Sequence, residues 1–396
     1  KTTSPNTIRY LISKPHYLGL SCWEASKPRM GLSGTEATKS SYCIGLFLHG
    51  DVPSPPTRFN LKWMLTHETN DNSPSIKPPM ALLIGIDEAG YGPFLGPLCI
   101  GATYWSIPDE LFRSDLDLYP LLKNLVTTTL KDKTRIMIGD SKLAYKPRGG
   151  LKNLERAIFP FLQNPISSFQ QWMETFAVKW SVWSAPSPWF QTYDKPLPSA
   201  LPQEILTELK ELATNCLADS PVCFLGAKVW CLPAQRFNVL LDSFPTKGAL
   251  LSHCSLTLAR QITEEFTNTK IQIHCDKHGG RNQYSHILQQ LFPEYLVEIH
   301  EESREISRYA WGPENQRVRC RFVAKGESFM PAALASMYAK YTRELAMEAF
   351  NHWWAQHIPE IKPTAGYPQD AKRFLKEIEP LLQTLSISRN VLWRNS

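Results

Sequence analysis

Apolar and polar positions divide the chain near residue 80. From 81 onward, apolar runs recur with strand-like or helix-like spacing. Strands are predicted at 81–87, 97–106, 174–184, 222–231, 270–275 and 295–300, and helices at 107–130, 151–163, 202–218, 246–268, 282–292, 330–351 and 368–385. Two opening strands followed by alternating helices and strands predict an α/β fold, a mixed β-sheet flanked by helices with a C-terminal helical part. Residues 185–202 are rich in Pro and Ser and read as a surface loop. Residues 1–79 show no sustained period and are rich in Ser, Thr, Pro, Asn and Lys. They are expected to be a disordered extension, or upstream sequence wrongly joined, with Met64 and Met80 as alternative starts.

Composition narrows this picture only modestly. The 396 residues, 43% hydrophobic and 11% aromatic, suffice for a large core. No apolar run approaches the length of a membrane-spanning helix. The net charge of +6 permits a nucleic-acid partner without arguing for one. Nine cysteines, an odd number without a regular frame, fit reduced thiols in a cytoplasmic protein. A monomer without membrane association is expected.

The chemistry is concentrated at predicted strand ends. Residues 81–86 read as a buried strand that delivers Asp87 and Glu88 into the turn Gly90-Tyr91-Gly92-Pro93. Adjacent carboxylates there repel each other and lose solvation, and a divalent cation is the simplest compensation. The glycines permit close approach of a backbone. Asp276 repeats the pattern after Ile271–Cys275, with Gly279 and Gly280 following. Glu327 ends a third strand-like run and opens a long, alanine-rich helix that also carries Glu344. Carboxylate oxygens suit Mg²⁺ or Mn²⁺ better than zinc. Two such ions can activate a water and stabilise a leaving oxygen in attack on phosphate. Each residue also has a plainer reading. Asp276 could form a turn, Glu327 could cap its helix, and Glu344 with Glu348 could be a solvated helix face. Asp140-Ser141-Lys142 could be an ordinary Asx turn or could aim a lysine at phosphate. The cluster His274 to His278 lacks a second Cys/His pair at zinc-finger spacing.

The run Ile86-Asp87-Glu88-Ala89-Gly90-Tyr91-Gly92-Pro93, followed by Leu95-Gly96-Pro97-Leu98, resembles the opening signature of the type 2 ribonuclease H family (ribonucleases HII and HIII). Asp140-Ser141-Lys142, Asp276, Lys325-Gly326-Glu327, Ala332 to Lys340, Thr342-Arg343-Glu344 and Gly366-Tyr367-Pro368 resemble its later motifs in the same order. The resemblance covers roughly 82–385 and implies a ribonuclease H-like fold over 80–390. It implies hydrolysis of the RNA strand in RNA–DNA hybrids, leaving a 3′-hydroxyl and a 5′-phosphate. It assigns Asp87, Glu88, Asp276 and Glu327 as metal-binding catalytic acids, with Glu344 auxiliary. Gly90, Tyr91, Gly92, Lys142 and Tyr367 become substrate-contacting residues.

The chain departs from the family pattern in three places. Tyr91 stands where the HII branch usually has arginine, Glu327 replaces an aspartate, and 146–245 is enlarged and without a known motif. The reading that follows is a two-metal endoribonuclease. A hybrid-binding protein that has lost cleavage on the same fold, and an unrelated metal-dependent phosphatase, are the alternatives. A phosphatase would be favoured if Asp276 and Glu327 lay far from Asp87.

Overall fold

A computed structural model describes residues 80–395 apart from 114, 147, 148 and 325, together with the backbone but not the side chain of Glu327. The expectations for 1–79 lie outside the described residues. In chain order the elements are β1 (Met80–Ala89), β2 (Leu98–Pro108), β3 (Val126–Thr127), β4 (Ile136–Met137), α1 (Ser141–Ala144), α2 (Lys152–Ile158), α3 (Phe169–Phe176), α4 (Trp180–Ser184), α5 (Gln203–Ala218), β5 (Cys223–Leu232), α6 (Ala234–Leu241), α7 (Lys247–Thr263), β6 (Ile271–Asp276), α8 (Ser285–Leu291), β7 (Glu298–Glu302), β8 (Ile306–Trp311), β9 (Val318–Val323), α9 (Met330–His357), α10 (Pro368–Leu382) and α11 (Arg389–Leu392).

Seven strands form one mixed sheet in the order β5-β2-β1-β6-β9-β8-β7. β1 pairs antiparallel with β2 and parallel with β6, and β6 pairs parallel with β9. This is the mixed sheet, flanked by helices, that the apolar pattern predicts. Both faces are apolar because helices cover both. Leu82, Ile84 and Ile86 belong to one core cluster, while Ala81, Leu83 and Ala89 belong to the other.

Helix α9 lies against β1 and β2, and the sequence is built for that contact. A Cβ at Gly85 would overlap the backbone of Pro331 and Ala332, and one at Gly101 would overlap the Ala335 carbonyl. The Thr103 hydroxyl donates to the Pro331 carbonyl at 2.7 Å. Alanines on the helix and glycines on the strands bring backbone onto backbone.

Three expectations fail. Residues 174–184 are not a strand: they end α3 and form α4, leaving one rung where the Val178 amide donates to the Val229 carbonyl at 2.9 Å. Alternation of Phe176, Val178, Trp180 and Val182 imitates a strand, but α3 and α4 bury Trp172, Phe176, Trp180 and Trp183 instead. The described residues of 107–130 form the end of β2, a 3-10 turn at Asp109–Leu111, further turns and β3 rather than a helix. Pro108 and Pro120 interrupt that run, and Asp117 accepts from the Met330 amide at 3.0 Å. Residues 185–202 are not simply a surface loop, since Trp189 and Phe190 are buried. Glu155, fully buried, accepts from the amides of Ser199 and Ala200 at 2.7 and 2.8 Å and from Tyr341 Oη at 3.1 Å. The enlarged 146–245 region thus packs aromatics onto α9: Trp172 Nε1 donates to Thr342 Oγ1 at 3.1 Å, and the Trp189 and Phe350 rings meet at 5.1 Å.

Candidate active site at the ends of β1 and β6

Register brings the first acids together. Ile86 pairs with Cys275, so Asp87 and Asp276 stand one residue further on neighbouring parallel strands. Ile271, Ile273 and Cys275 belong to the core cluster of Leu82, Ile84 and Ile86. By alternation, Asp87 and Asp276 both lie on the opposite, α9-facing side. Asp276 Oδ1 accepts from the Gly326 amide at 2.8 Å, which sets the Glu327 backbone one residue from that carboxylate.

Asp87 is buried, and its Oδ1 accepts from the Glu88 amide at 2.7 Å. Glu88 is half-buried at the strand end. Its carboxyl is pushed well above the usual range, first by burial and then by the charges of Asp87 and Asp276. Glu88 therefore senses both neighbouring carboxylates in a site that disfavours its ionisation. Hard oxygen donors in that state match a divalent cation. Among the described residues, no three His, Cys, Asp or Glu side chains already stand as a formed metal-ligand set.

The glycine turn is fixed from several sides. Gly90 adopts φ +85°, and a Cβ there would collide with the Arg343 side chain. Gly92 is exposed, with open space where its side chain would be. Tyr91 is half-buried beside Glu88, whose charge adds to burial in raising the phenol's pKa. A Cβ at Gly279, in the turn after Asp276, would lie 3.5 Å from Tyr91 Oη. The Gly366 carbonyl accepts from the amides of Phe94 and Leu95 at 2.8 and 3.2 Å. This ties the late Gly-Tyr turn to the glycine turn, and Tyr367, 53% exposed, is not a core aromatic.

Other candidates are placed less directly. Asp140 caps α1 by accepting from the Lys142 amide at 2.8 Å, the Asx role. Lys142 is exposed. Ser141 Oγ lies 3.0 Å from Ser336 Oγ on α9, one residue from the Ala335 that touches Gly101, the cross-strand partner of Asp87. Glu344 is not on a solvated face: it is buried and paired with Lys340 at 2.6 Å and Arg343 at 3.2 Å. Arg343 is about 18 Å along the helix axis from Pro331, which places this group beside Gly90 rather than at Gly85. His274 and His278 do not share a site. His274 lies 2.6 Å from Gln272 Nε2, while His278 Nδ1 lies 3.1 Å from Ser252 Oγ.

Sequence reading gave Arg343 no role beyond its motif and missed Arg394 as part of this neighbourhood. Arg394 donates to the carbonyls of Gly90 and Pro93 across some three hundred residues of chain, with no local signal. A hollow of about 550 Å³ lies elsewhere, over β8 and β9, lined by Arg308, Arg317, Arg319 and Arg321. Glu301 and Glu298 pair two of these arginines, and the hollow does not include the acids.

Neither a protein-family model nor a curated protein sequence matches the chain. Among solved structures, it is similar to ribonuclease H2 from Pyrococcus horikoshii OT3 at 14% identity and TM-score 0.36, covering 78% of this chain and 92% of that one. It is similar to RNase H3 from Aquifex aeolicus at 14% identity and TM-score 0.34, covering 79% and 70%. It is also similar to Bst-RNase HIII in complex with Mn²⁺ at 15% identity and TM-score 0.29, covering 80% and 71%. All three of these solved structures are ribonucleases H, and each likeness is at 15% identity or below.

Proposed function

We propose that this protein is a metal-dependent endonuclease that hydrolyses the RNA strand of RNA–DNA hybrids, leaving a 3′-hydroxyl and a 5′-phosphate. One observation carries the reading: register sets Asp87 and Asp276 side by side on adjacent parallel strands, with Glu88 next to them at the strand end, its carboxyl raised by burial and then by their charges, beside a glycine turn. Asp87, Glu88, Asp276 and Glu327 would hold Mg²⁺ or Mn²⁺. Bound there, the ions would supply an activated water and charge stabilisation at phosphate. The chain's own residues bind and orient. The turn at Gly90 to Gly92 offers backbone to ribose 2′-hydroxyls, the group that separates RNA from DNA. The exposed Tyr367 ring offers a stacking surface, and the exposed Lys142 offers a cation to phosphate.

The test is cleavage of a labelled hybrid with and without Mg²⁺ or Mn²⁺. Asp87→Asn and Asp276→Asn are expected to abolish cleavage, while metal-free hybrid binding stays within a few-fold of wild type. Metal-dependent cleavage by Asp276→Asn would remove the assigned role. Hybrid binding by the wild type without cleavage under either metal would favour the hybrid-binding alternative.

A further inference from the structure

Arg394 is a buried cation in an unusual setting. It is 1% exposed, and among the described residues no ion pair reaches it. Its Nε and Nη1 have no hydrogen-bond partner among the described residues. Burial and the nearby Arg343 charge lower its pKa to about 9. What it does hold is the glycine turn: Nη2 donates to the Gly90 carbonyl at 2.6 Å and also to that of Pro93.

The flanking chain delivers this guanidinium. The Arg394 amide donates to the Phe94 carbonyl at 2.8 Å, and Trp393 forms an antiparallel bridge with Leu95. Asn238 on α6 clamps the segment from behind. Its Nδ2 donates to the Trp393 carbonyl at 2.8 Å, and its Oδ1 accepts from the Asn395 amide at 2.8 Å. If the segment were only an anchor, an apolar side chain at 394 would pack there without a desolvated charge. Besides its cation–π contact with the Phe237 ring at 5.0 Å, two carbonyls of one turn are what the guanidinium adds.

Peptide geometry gives that contact a consequence. In a trans peptide, the carbonyl and the following amide point in opposite directions. With the Gly90 carbonyl drawn to Arg394, the Tyr91 amide points away from the buried side. Gly90, at positive φ and without a side chain, offers little resistance of its own to a flip of that plane.

We infer that Arg394 is a positioning residue that fixes the Gly90–Tyr91 peptide plane, so that the Tyr91 amide faces the ribose of the RNA strand. This rests on the hybrid-cleaving reading above and adds its specificity device. Arg394 touches neither the acids nor the substrate; it acts through the turn.

Arg394→Met, in the full chain, keeps most of the volume while removing the donors and the buried charge, so folding is expected to survive. Two readouts follow. Amide hydrogen exchange across 89–95 should accelerate relative to wild type. Metal-free affinity for an RNA–DNA hybrid over a DNA duplex of the same sequence should fall by roughly tenfold, with duplex affinity unchanged. Arg394→Lys, which retains a donor, should recover part of both. If Arg394→Met does not fold, Asn238→Leu loosens the same segment and carries the same readouts. Unchanged exchange and an unchanged affinity ratio in a folded variant overturn the inference. A wild type with no preference for the hybrid overturns the underlying reading instead, whatever the exchange of the turn.

Discussion

At the residue scale, the informative quantity is the state of Glu88. Its carboxyl is raised above 4.5 by burial and by Asp87 and Asp276, so the folded state prefers it protonated. The sign follows: the stability it contributes is complete below about 4.5 and is lost as pH rises through the higher folded value. Without metal, the melting temperature should therefore fall as pH rises above about 4.5, in a way that Glu88→Gln flattens. Mg²⁺ should raise the melting temperature more at the upper pH, where the ionised acids bind it. Equal slopes for wild type and Glu88→Gln in a metal-free thermal scan would mean that the three acids are not coupled. His278 runs the opposite way. Burial lowers its pKa to about 3 from 6.5, so stability is complete above about 6.5 and is lost as pH falls toward the folded value. His278→Phe should shift the acid-unfolding midpoint to lower pH, followed by circular dichroism; an unmoved midpoint would place the proton uptake elsewhere.

At the scale of elements, α9 organises the site. It is buried on nearly every side, and the backbone contacts at Gly85 and Gly101 fix its position against β1 and β2. Its entry holds Gly326 on Asp276, and its middle holds Arg343 against Gly90. The Asp276 carboxylate and the Gly90 turn are thus placed by one rigid body. Gly101→Ala puts a methyl into the Ala335 carbonyl and should destabilise the fold by about 2–4 kcal/mol in denaturant titration. A loss below about 0.5 kcal/mol would show that the helix can shift away freely. Gly92→Ala meets open space and should leave stability within about 0.5 kcal/mol of wild type.

At the scale of the molecule, the described residues belong to one compact unit. The two apolar clusters on either side of the sheet lie within 81–392. A chain beginning at Met80 should fold with an unchanged denaturation midpoint and carry the proposed hybrid cleavage to the same extent as the full chain. A lower midpoint would show that the preceding residues complete the core. No described helix is long and apolar enough to cross a membrane. The seven described cysteines are free, in keeping with the absence of a regular disulfide frame in the sequence.

The sequence by itself determined the strands that carry Asp87 and Asp276, the glycine turn, and the small-residue face of α9. Their signals are local: apolar runs ending in acids, glycines where a side chain would not fit, alanines at helical spacing. Tertiary structure decided what local pattern leaves open. β8 was not read from the sequence: its Arg308 faces Glu301 of β7, and cross-strand pairing rather than an apolar run defines it. The aromatic alternation in 174–184 became helix because those rings pack against α9 and neighbouring loops, where burial outweighs strand propensity. Glu344 looked solvated because its partners Lys340 and Arg343 share its helix, while its burial comes from layers distant in sequence. Above all, the hold of Arg394 on Gly90 joins opposite ends of the described chain. No spacing rule links residues so far apart; only a folded chain, closing back on its first turn, brings that guanidinium to those carbonyls.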